Sequence, residues 1–303
     1  MIALWIPIAL TAAFFQTWRT ALQQKLRGQL SVSAAGFTRY LYAVPAGLVL
    51  LLLAKALTGL ALPALNARFL LLCAAGGLGQ IFGTVLLIAA FGHRNFVVGT
   101  AYSKTESIQS GFIAWIAIGE ALRPGAWLGI GVALGGVLVL SLAGAKLRPR
   151  DLLAASLQPA ALCGLGAGFA FSVTSVLIKL ANEALGRAHP IFQALVVLVT
   201  TNILQTLMQG GWMAWRQREQ LVAAVRLWRR AWLVGVLSAC GSACWFSGFA
   251  LAPVALVRTV GQVEMIFTLA FSRYYLRERP SRADVLGLLL IVAGVTIILL
   301  LGT

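Results

Sequence analysis

Apolar runs of about 20 residues alternate along this chain with short polar stretches, and no segment shows a period-two alternation. A helix needs ~20 residues to cross ~30 Å of hydrocarbon, so the pattern predicts membrane-spanning helices and not the strands of a barrel. Ten spans are predicted, at residues 2–22, 33–57, 69–91, 96–121, 125–143, 159–182, 190–212, 232–251, 255–279 and 283–301. Pro45 is placed to kink the second. Residues 92–95 read as a tight turn, and residues 213–230 as the longest link, holding five arginines. Met1 leads straight into the first span, which is therefore expected to be retained and not cleaved as a signal peptide.

Charged positions single out two spans. The fourth carries Lys104 and Glu106 near its middle, and the ninth carries Arg258, Gln262 and Glu264. Glu106 and Glu264 are 158 residues apart, and at that offset, without a gap, Gly77 meets Gly235, Gly83 meets Gly241, Phe91 meets Phe249, Glu120 meets Glu278, Gly129 meets Gly287, Gly136 meets Gly294 and Val137 meets Val295. The chain thus reads as a tandem duplication of residues 1–145 and 152–303. Five spans per half is an odd number, so the second repeat enters the membrane from the opposite face. The expected fold class is an all-α membrane protein, ten transmembrane helices forming two inverted five-helix repeats around a central cavity.

Composition strengthens the membrane reading. With 60% hydrophobic and 11% charged residues and a mean hydropathy of +0.90, the chain has more apolar surface than a soluble core of this length hides. The net charge of +16 comes from 24 Lys and Arg against 8 Asp and Glu, much of it in the links, which suits an orientation signal better than a nucleic-acid surface. Cys73, Cys163, Cys240 and Cys244 fall in apolar runs and read as small buried hydrophobes; Cys240 and Cys244 share a helix face, but no His or acidic residue joins them. Small-xxx-small spacing at Gly131 and Gly135 and at Gly164 and Gly168, with Gly76, Gly77, Gly79 and Gly83 in the third span, points to close helix packing.

In each half an acidic residue follows the fourth helix and a glycine-rich fifth helix comes next: Glu120 with Leu122, Arg123, Pro124, Gly129 and Gly136, then Glu278 with Arg279, Pro280, Gly287 and Gly294. In this the chain resembles the EamA-type members of the drug/metabolite transporter (DMT) superfamily. The resemblance implies alternating access to a central cavity, export or exchange of small metabolites, amino acids among them, and cytoplasmic termini. The charge density of the fourth and ninth helices departs from many members. Lys and Arg in or beside the links number 14 on the odd-numbered side and 5 on the even-numbered side, which by the positive-inside rule puts both termini outside. A compartment-sensitive reporter fused after Thr303 is expected to be active only in the periplasm; cytoplasmic activity would show that loop charge does not set topology here.

A charge at the bilayer centre costs ~2.5–3.5 kcal/mol even on the lower scales, so intramembrane charges call for a cavity or a partner. Glu106 and Glu264 read either as a substrate or proton site at the repeat interface or as members of structural ion pairs. On a helix Glu106 shares a face with Tyr102, Gln109 and Ser110, while Lys104, with Thr100 and Ser107, points about 200° away. Arg258 and Gln262 occupy the face equivalent to Thr100 and Lys104, and Glu264 lies with Thr268 on another. Either the cationic faces or the acidic ones line the cavity, and the symmetric glutamates are the expected lining. The candidate substrate-binding or coupling residues are Glu106, Glu264, Tyr102, Lys104, Arg258, Gln262, Arg39 and Trp18. Arg19 and Lys179 read as snorkelling to the headgroups. Trp5, Trp127, Trp212, Trp215, Trp228 and Trp232 read as an interfacial belt, whereas Trp115 and Trp245, like Trp18, lie within spans.

The function expected is that of a secondary transporter, an exporter or exchanger of a small polar metabolite, working as a monomer in the inner (plasma) membrane. Its partners are the substrate, the lipid bilayer, and protons or a counter-substrate. No cofactor, metal or nucleic acid is expected, and no Walker A loop is present for ATP hydrolysis. The alternatives are a channel-like or structural membrane protein, and a membrane-embedded enzyme acting on lipid-linked substrates. The enzyme would need clustered His or Asp, whereas Asp151 and Asp284 are far apart in sequence.

Overall fold

The structure, a computed structural model, describes residues 4–26, 29–90, 102–145, 159–186, 188–276 and 282–302. The elements assigned within them are helical: α1 (Trp5–Leu26), α2 (Val32–Leu41), α3 (Ala43–Thr58), α4 (Ala67–Ala90), α5 (Glu106–Ile118), α6 (Pro124–Ala145), α7 (Pro159–Ala184), α8 (Pro190–Arg216), α9 (Arg218–Arg226), α10 (Trp228–Leu251), α11 (Val254–Gly261), α12 (Glu264–Leu276) and α13 (Arg282–Ile297), the last running into a π-helical stretch, Ile298–Gly302. Phe91, the turn at 92–95 with His93, Thr100, the link at 146–158 with Asp151, and Glu278, Arg279 and Pro280 lie outside the described residues, as does the side chain of Asp284.

Among the described residues, 7 helical segments are long and apolar enough to cross a membrane: Val32–Thr58, Ala67–Ala90, Pro124–Ser141, Pro159–Ala184, Pro190–Arg216, Trp228–Leu251 and Val285–Gly302. They coincide with seven of the predicted spans. The first predicted span is α1, whose second half mixes Gln16, Thr17, Arg19, Thr20 and Gln23 into the apolar run. The fourth and ninth are interrupted helices. In the second span the helix breaks at Tyr42, between α2 and α3. Pro45 accounts for this, because a proline ring clashes with the carbonyl four residues earlier, here that of Leu41.

The predicted long link at 213–230 is a correction. It is mostly helix: α8 continues to Arg216, a break at Gln217 follows, and Arg218–Arg226 forms α9. The segment contains no Gly or Pro after Gly211, and Glu, Gln, Leu, Ala and Arg are good helix formers.

The chain divides into two compact units, residues 1–81 with 174–252 and residues 82–173 with 253–303, so each draws on both halves of the sequence. In the first unit α1 packs on α10, and α8 packs on α2, α3 and α10. Gln205, fully buried on α8, donates to the Gly77 carbonyl (3.2 Å) and to Gln80 (2.7 Å), and Gln209 donates to the Ser33 carbonyl (3.0 Å). In a bilayer such bonds between helices take the place of the hydrophobic effect, which has no grip between apolar surfaces in lipid. Leu26, Leu30, Phe37, Met213 and Val234 close the end of this unit as an apolar cluster.

In the second unit α6 and α13 pack along their glycines. A Cβ on Gly136 would stand 2.6 Å from the Gly287 carbonyl oxygen, and one on Gly129 would stand 2.7 Å from that of Gly294. The two helices therefore run antiparallel. Each glycine also meets the offset counterpart of the other, the reciprocal contact that a twofold axis produces. The spacing at Gly131 and Gly135 misled: a Cβ at either position faces open space.

Two predicted snorkelling side chains stay inside. Lys179 donates to the carbonyl of Ala252 (3.0 Å), the residue that ends α10, where a cation complements the helix C-terminus. The Nε of Arg19 is buried. Of the predicted tryptophan belt, Trp212, Trp215, Trp228 and Trp232 are exposed, but Trp5 is buried and Trp127 packs on Phe112 with ring centroids 4.7 Å apart.

Candidate functional site

Both interrupted helices break at the same place in the sequence offset. Tyr102 and Ser103 are helical, Lys104 and Thr105 form a turn, and α5 starts at Glu106; α11 ends at Gly261, Gln262 and Val263 form a turn, and α12 starts at Glu264. Adding 158 to 104 and 105 gives 262 and 263, the second turn. Neither break contains proline. At the first, the Thr105 N–H and hydroxyl both reach back to the Tyr102 carbonyl (3.2 and 2.6 Å). A hydroxyl that satisfies a local carbonyl competes with the helical ladder. At the second, Gln262 donates to the Thr259 carbonyl (3.0 Å), Val263 to Val260 (3.2 Å) and Met265 to Gln262 (3.0 Å), a run of three-residue closures in place of four-residue ones.

The breaks change which side chains meet. With the helix interrupted, Lys104 and Glu106 are no longer held on opposed faces, and each finds a partner of opposite charge from the other broken helix. Lys104 forms an ion pair with Glu264, and Arg258 NH1 lies 3.6 Å from Glu106 Oε1. The four side chains are only 10–13% exposed. Of the readings the sequence left open, ion pairing is what these residues display: acids and bases pair with each other, and the four charges sum to zero. Neutrality is what a low-dielectric site requires, since an unpaired charge there is far costlier than a pair. Each glutamate is also the first residue of its half-helix, where the positive end of the helix dipole favours it.

Polar neighbours tie the breaks together. Gln262 donates to the Ser107 hydroxyl and, at 3.4 Å, to the Lys104 carbonyl, while its own Oε1 is buried without a hydrogen-bond partner. The hydroxyls of Ser110 and Ser172 both reach the Glu106 carbonyl (2.5 and 2.9 Å), and Gln109 donates to the Thr105 hydroxyl (2.7 Å). Arg258 NH2 approaches the Phe171 carbonyl (3.5 Å). A Cβ on Gly168 would stand 3.0 Å from the Ser103 carbonyl, so the backbone of α7 lies against the first break. Ser172 and Gly168 went unassigned to the site in the sequence. Gly168 stood out only through its small-xxx-small spacing with Gly164, and Ser172 only as one of several polar residues on the helix, with Thr174, Ser175 and Lys179.

Of the eight candidate residues, Tyr102, Lys104, Glu106, Arg258, Gln262 and Glu264 fall in the second unit, whereas Arg39 and Trp18 fall in the first. Arg39 is buried, its guanidinium 5.5 Å from the Tyr40 ring centroid. Trp18 is exposed, edge-on to Phe14 at 6.0 Å. Trp245 is buried, stacks on Phe249 and donates to Gln16 (3.1 Å).

The acidic residue that ends the fourth span has a definite job. Glu120 Oε2 accepts the backbone N–H of Val254 (3.0 Å), the first residue of α11, so a carboxylate from the first half caps a helix of the second. Glu120→Ala is expected to destabilise the protein by roughly 1 kcal/mol, and Glu120→Gln by less, since an amide oxygen still accepts. Thermal melts of the two variants in one detergent check the order; equal melting points would dismiss the cap.

Residues 158–300, close to the whole of the predicted second repeat, match the EamA-like transporter family. A solved crystal structure aligns with 99% of this chain and 100% of its own at a TM-score of 0.73 and 17% identity, a likeness of fold. No curated protein matches the sequence. The helical, strongly apolar architecture fits the drug/metabolite transporter superfamily.

Proposed function

We propose that the chain is a secondary transporter of the EamA-like kind, an exporter or exchanger of a small polar metabolite such as an amino acid, resident in the inner membrane. It works by alternating access between two inverted five-helix repeats, residues 1–145 and 152–303, with protons or a counter-substrate as the coupled species. One observation carries this reading: two helix breaks at equivalent positions, each followed by a buried glutamate that is paired with a cation of the other broken helix. Broken helices near the bilayer midplane, with charged groups at their free ends, are where secondary transporters hold substrate and ions. The reciprocal glycine contacts of α6 and α13 support the inverted arrangement.

A neutral set of two acids and two bases suits a zwitterion. The substrate's ammonium group displaces a cation from Glu106 or Glu264, its carboxylate displaces an acid from Lys104 or Arg258, and the charge of the site is unchanged. The energetic demand of desolvation is then met by exchange of partners. The test is flux of a radiolabelled amino-acid mixture into liposomes that hold the purified protein. Saturating uptake that speeds up when the same amino acids are loaded inside is the expected result. Linear flux without such counterflow would make the protein a channel.

A further inference from the structure

We infer that the groove between α2, α3, α8 and the junction of α9 with α10 is a binding site for an anionic phospholipid, one acyl chain in the groove and the phosphate held by Arg226 and Arg229. The inference is independent of the transport reading. The groove has a volume of about 570 Å³ and is walled by Leu41, Pro45, Ile203 and Leu207 together with Tyr42 and Trp228. It exists because the helix breaks at Tyr42, whose hydroxyl then bonds the carbonyls of Ala224 and Val225 (both 3.1 Å) and ties α9 to the break. Leu207 is 65% exposed and Trp228 53% exposed, so the groove is open along its length.

Two features fit a phospholipid and not a generic apolar surface. The first is its lining: of the residues that wall the groove only Tyr42, Thr206 and Trp228 carry a polar side-chain atom, which suits an acyl chain. The second is charge beside the lining residues Val225 and Trp228. Arg226, Arg229 and Arg230 are exposed within five residues of one another, beside Trp228. Arg229 lies over the Trp228 ring (5.4 Å to its centroid), and Arg230 donates to Gln29 (3.0 Å). The acidic residue of this segment, Glu219, sits at the other end of α9. Guanidinium groups bind phosphate in a fork geometry, and basic clusters that flank a spanning helix select anionic headgroups. The aromatic side chain between acyl groove and arginines marks the headgroup level.

The probes are phosphatidylglycerol and phosphatidylcholine with identical acyl chains, added to the purified full-length protein in detergent and read by native mass spectrometry. Phosphatidylglycerol is expected to bind more tightly. The double variant Arg226→Gln, Arg229→Gln should lose roughly 10- to 30-fold in affinity for it and leave phosphatidylcholine unchanged. Leu207→Trp, which fills the groove, should weaken both. Equal binding of the two lipids, or unchanged phosphatidylglycerol affinity in the double variant, overturns the site, and so does a dimer that Leu207→Trp dissociates, because the groove would then seat a second copy. Should a variant fail to fold, the wild type still decides: a diazirine-bearing phosphatidylglycerol must label residues 203–207 or 225–228, and label confined to other segments refutes the assignment.

Discussion

Glu264→Gln is expected to abolish transport and also to lower stability, by about 3–5 kcal/mol, because it removes the buried carboxylate that forms the ion pair with Lys104. Glu106→Gln is expected to act in the same direction through Arg258, and less strongly, since that pair is open to 3.6 Å. The informative variant is the double one, Lys104→Met with Glu264→Met. Replacement of a buried ion pair by apolar residues of similar volume is commonly neutral or stabilising, so this protein should regain a melting point near that of the wild type. It should still not transport. Recovery of counterflow in the double variant would mean that the charges only lock two helices together, and the site assignment would fall. Loss of both fold and flux in the single variants, followed by return of the fold alone, is the pattern a functional pair predicts.

The largest packing effect is expected at the contact of α6 with α13. Gly136→Ala places a methyl group 2.6 Å from a backbone oxygen and 2.7 Å from the Ile291 nitrogen, atoms that move only if the helices separate. Overpacking of this kind destabilises by roughly 1–3 kcal/mol, and Gly136→Val should exceed that range and leave little monodisperse protein after purification. Gly294→Val should match it, being the offset counterpart. The control lies on the same helix: Gly131→Ala and Gly135→Ala face open space and should fall within roughly 0.5 kcal/mol of the wild type, or slightly above it because alanine is the better helix former. Melting curves that rank Gly131→Ala with Gly136→Ala would refute the contact.

The glycine comparison shows how far the sequence carries. Gly131 and Gly135 have the spacing associated with close packing, yet the glycines that touch are Gly129 and Gly136, which the 158-residue offset pointed to. Spacing along one helix reports which residues share a face. It does not report which face a neighbour covers. The offset pointed to the glycines in contact where the motif did not, because a pair of glycines that recurs at one offset carries information about two helices at once. Lys179 makes the same point: its position near the end of a span suggested the headgroups, and only the arrival of the α10 C-terminus beside it made a carbonyl the nearer partner.

What the sequence by itself determined is the class of the molecule and the identity of its charged centre. Apolar runs of membrane length require helices, since backbone groups in hydrocarbon must be satisfied within the segment. Charges at 104, 106, 258 and 264, well inside spans that are mostly apolar, stand out against that solvent because isolated charge there is so costly. Who pairs with whom was decided by tertiary structure alone. An ideal helix holds Lys104 and Glu106 about 200° apart, and nothing in Lys104-Thr105 or Gln262-Val263, which lack proline, announces a break. The breaks form because the turns find local hydrogen bonds of their own and because each largely buried charge gains a partner from the other broken helix. That gain exists only once the two helices are side by side, so no reading of either segment alone contains it.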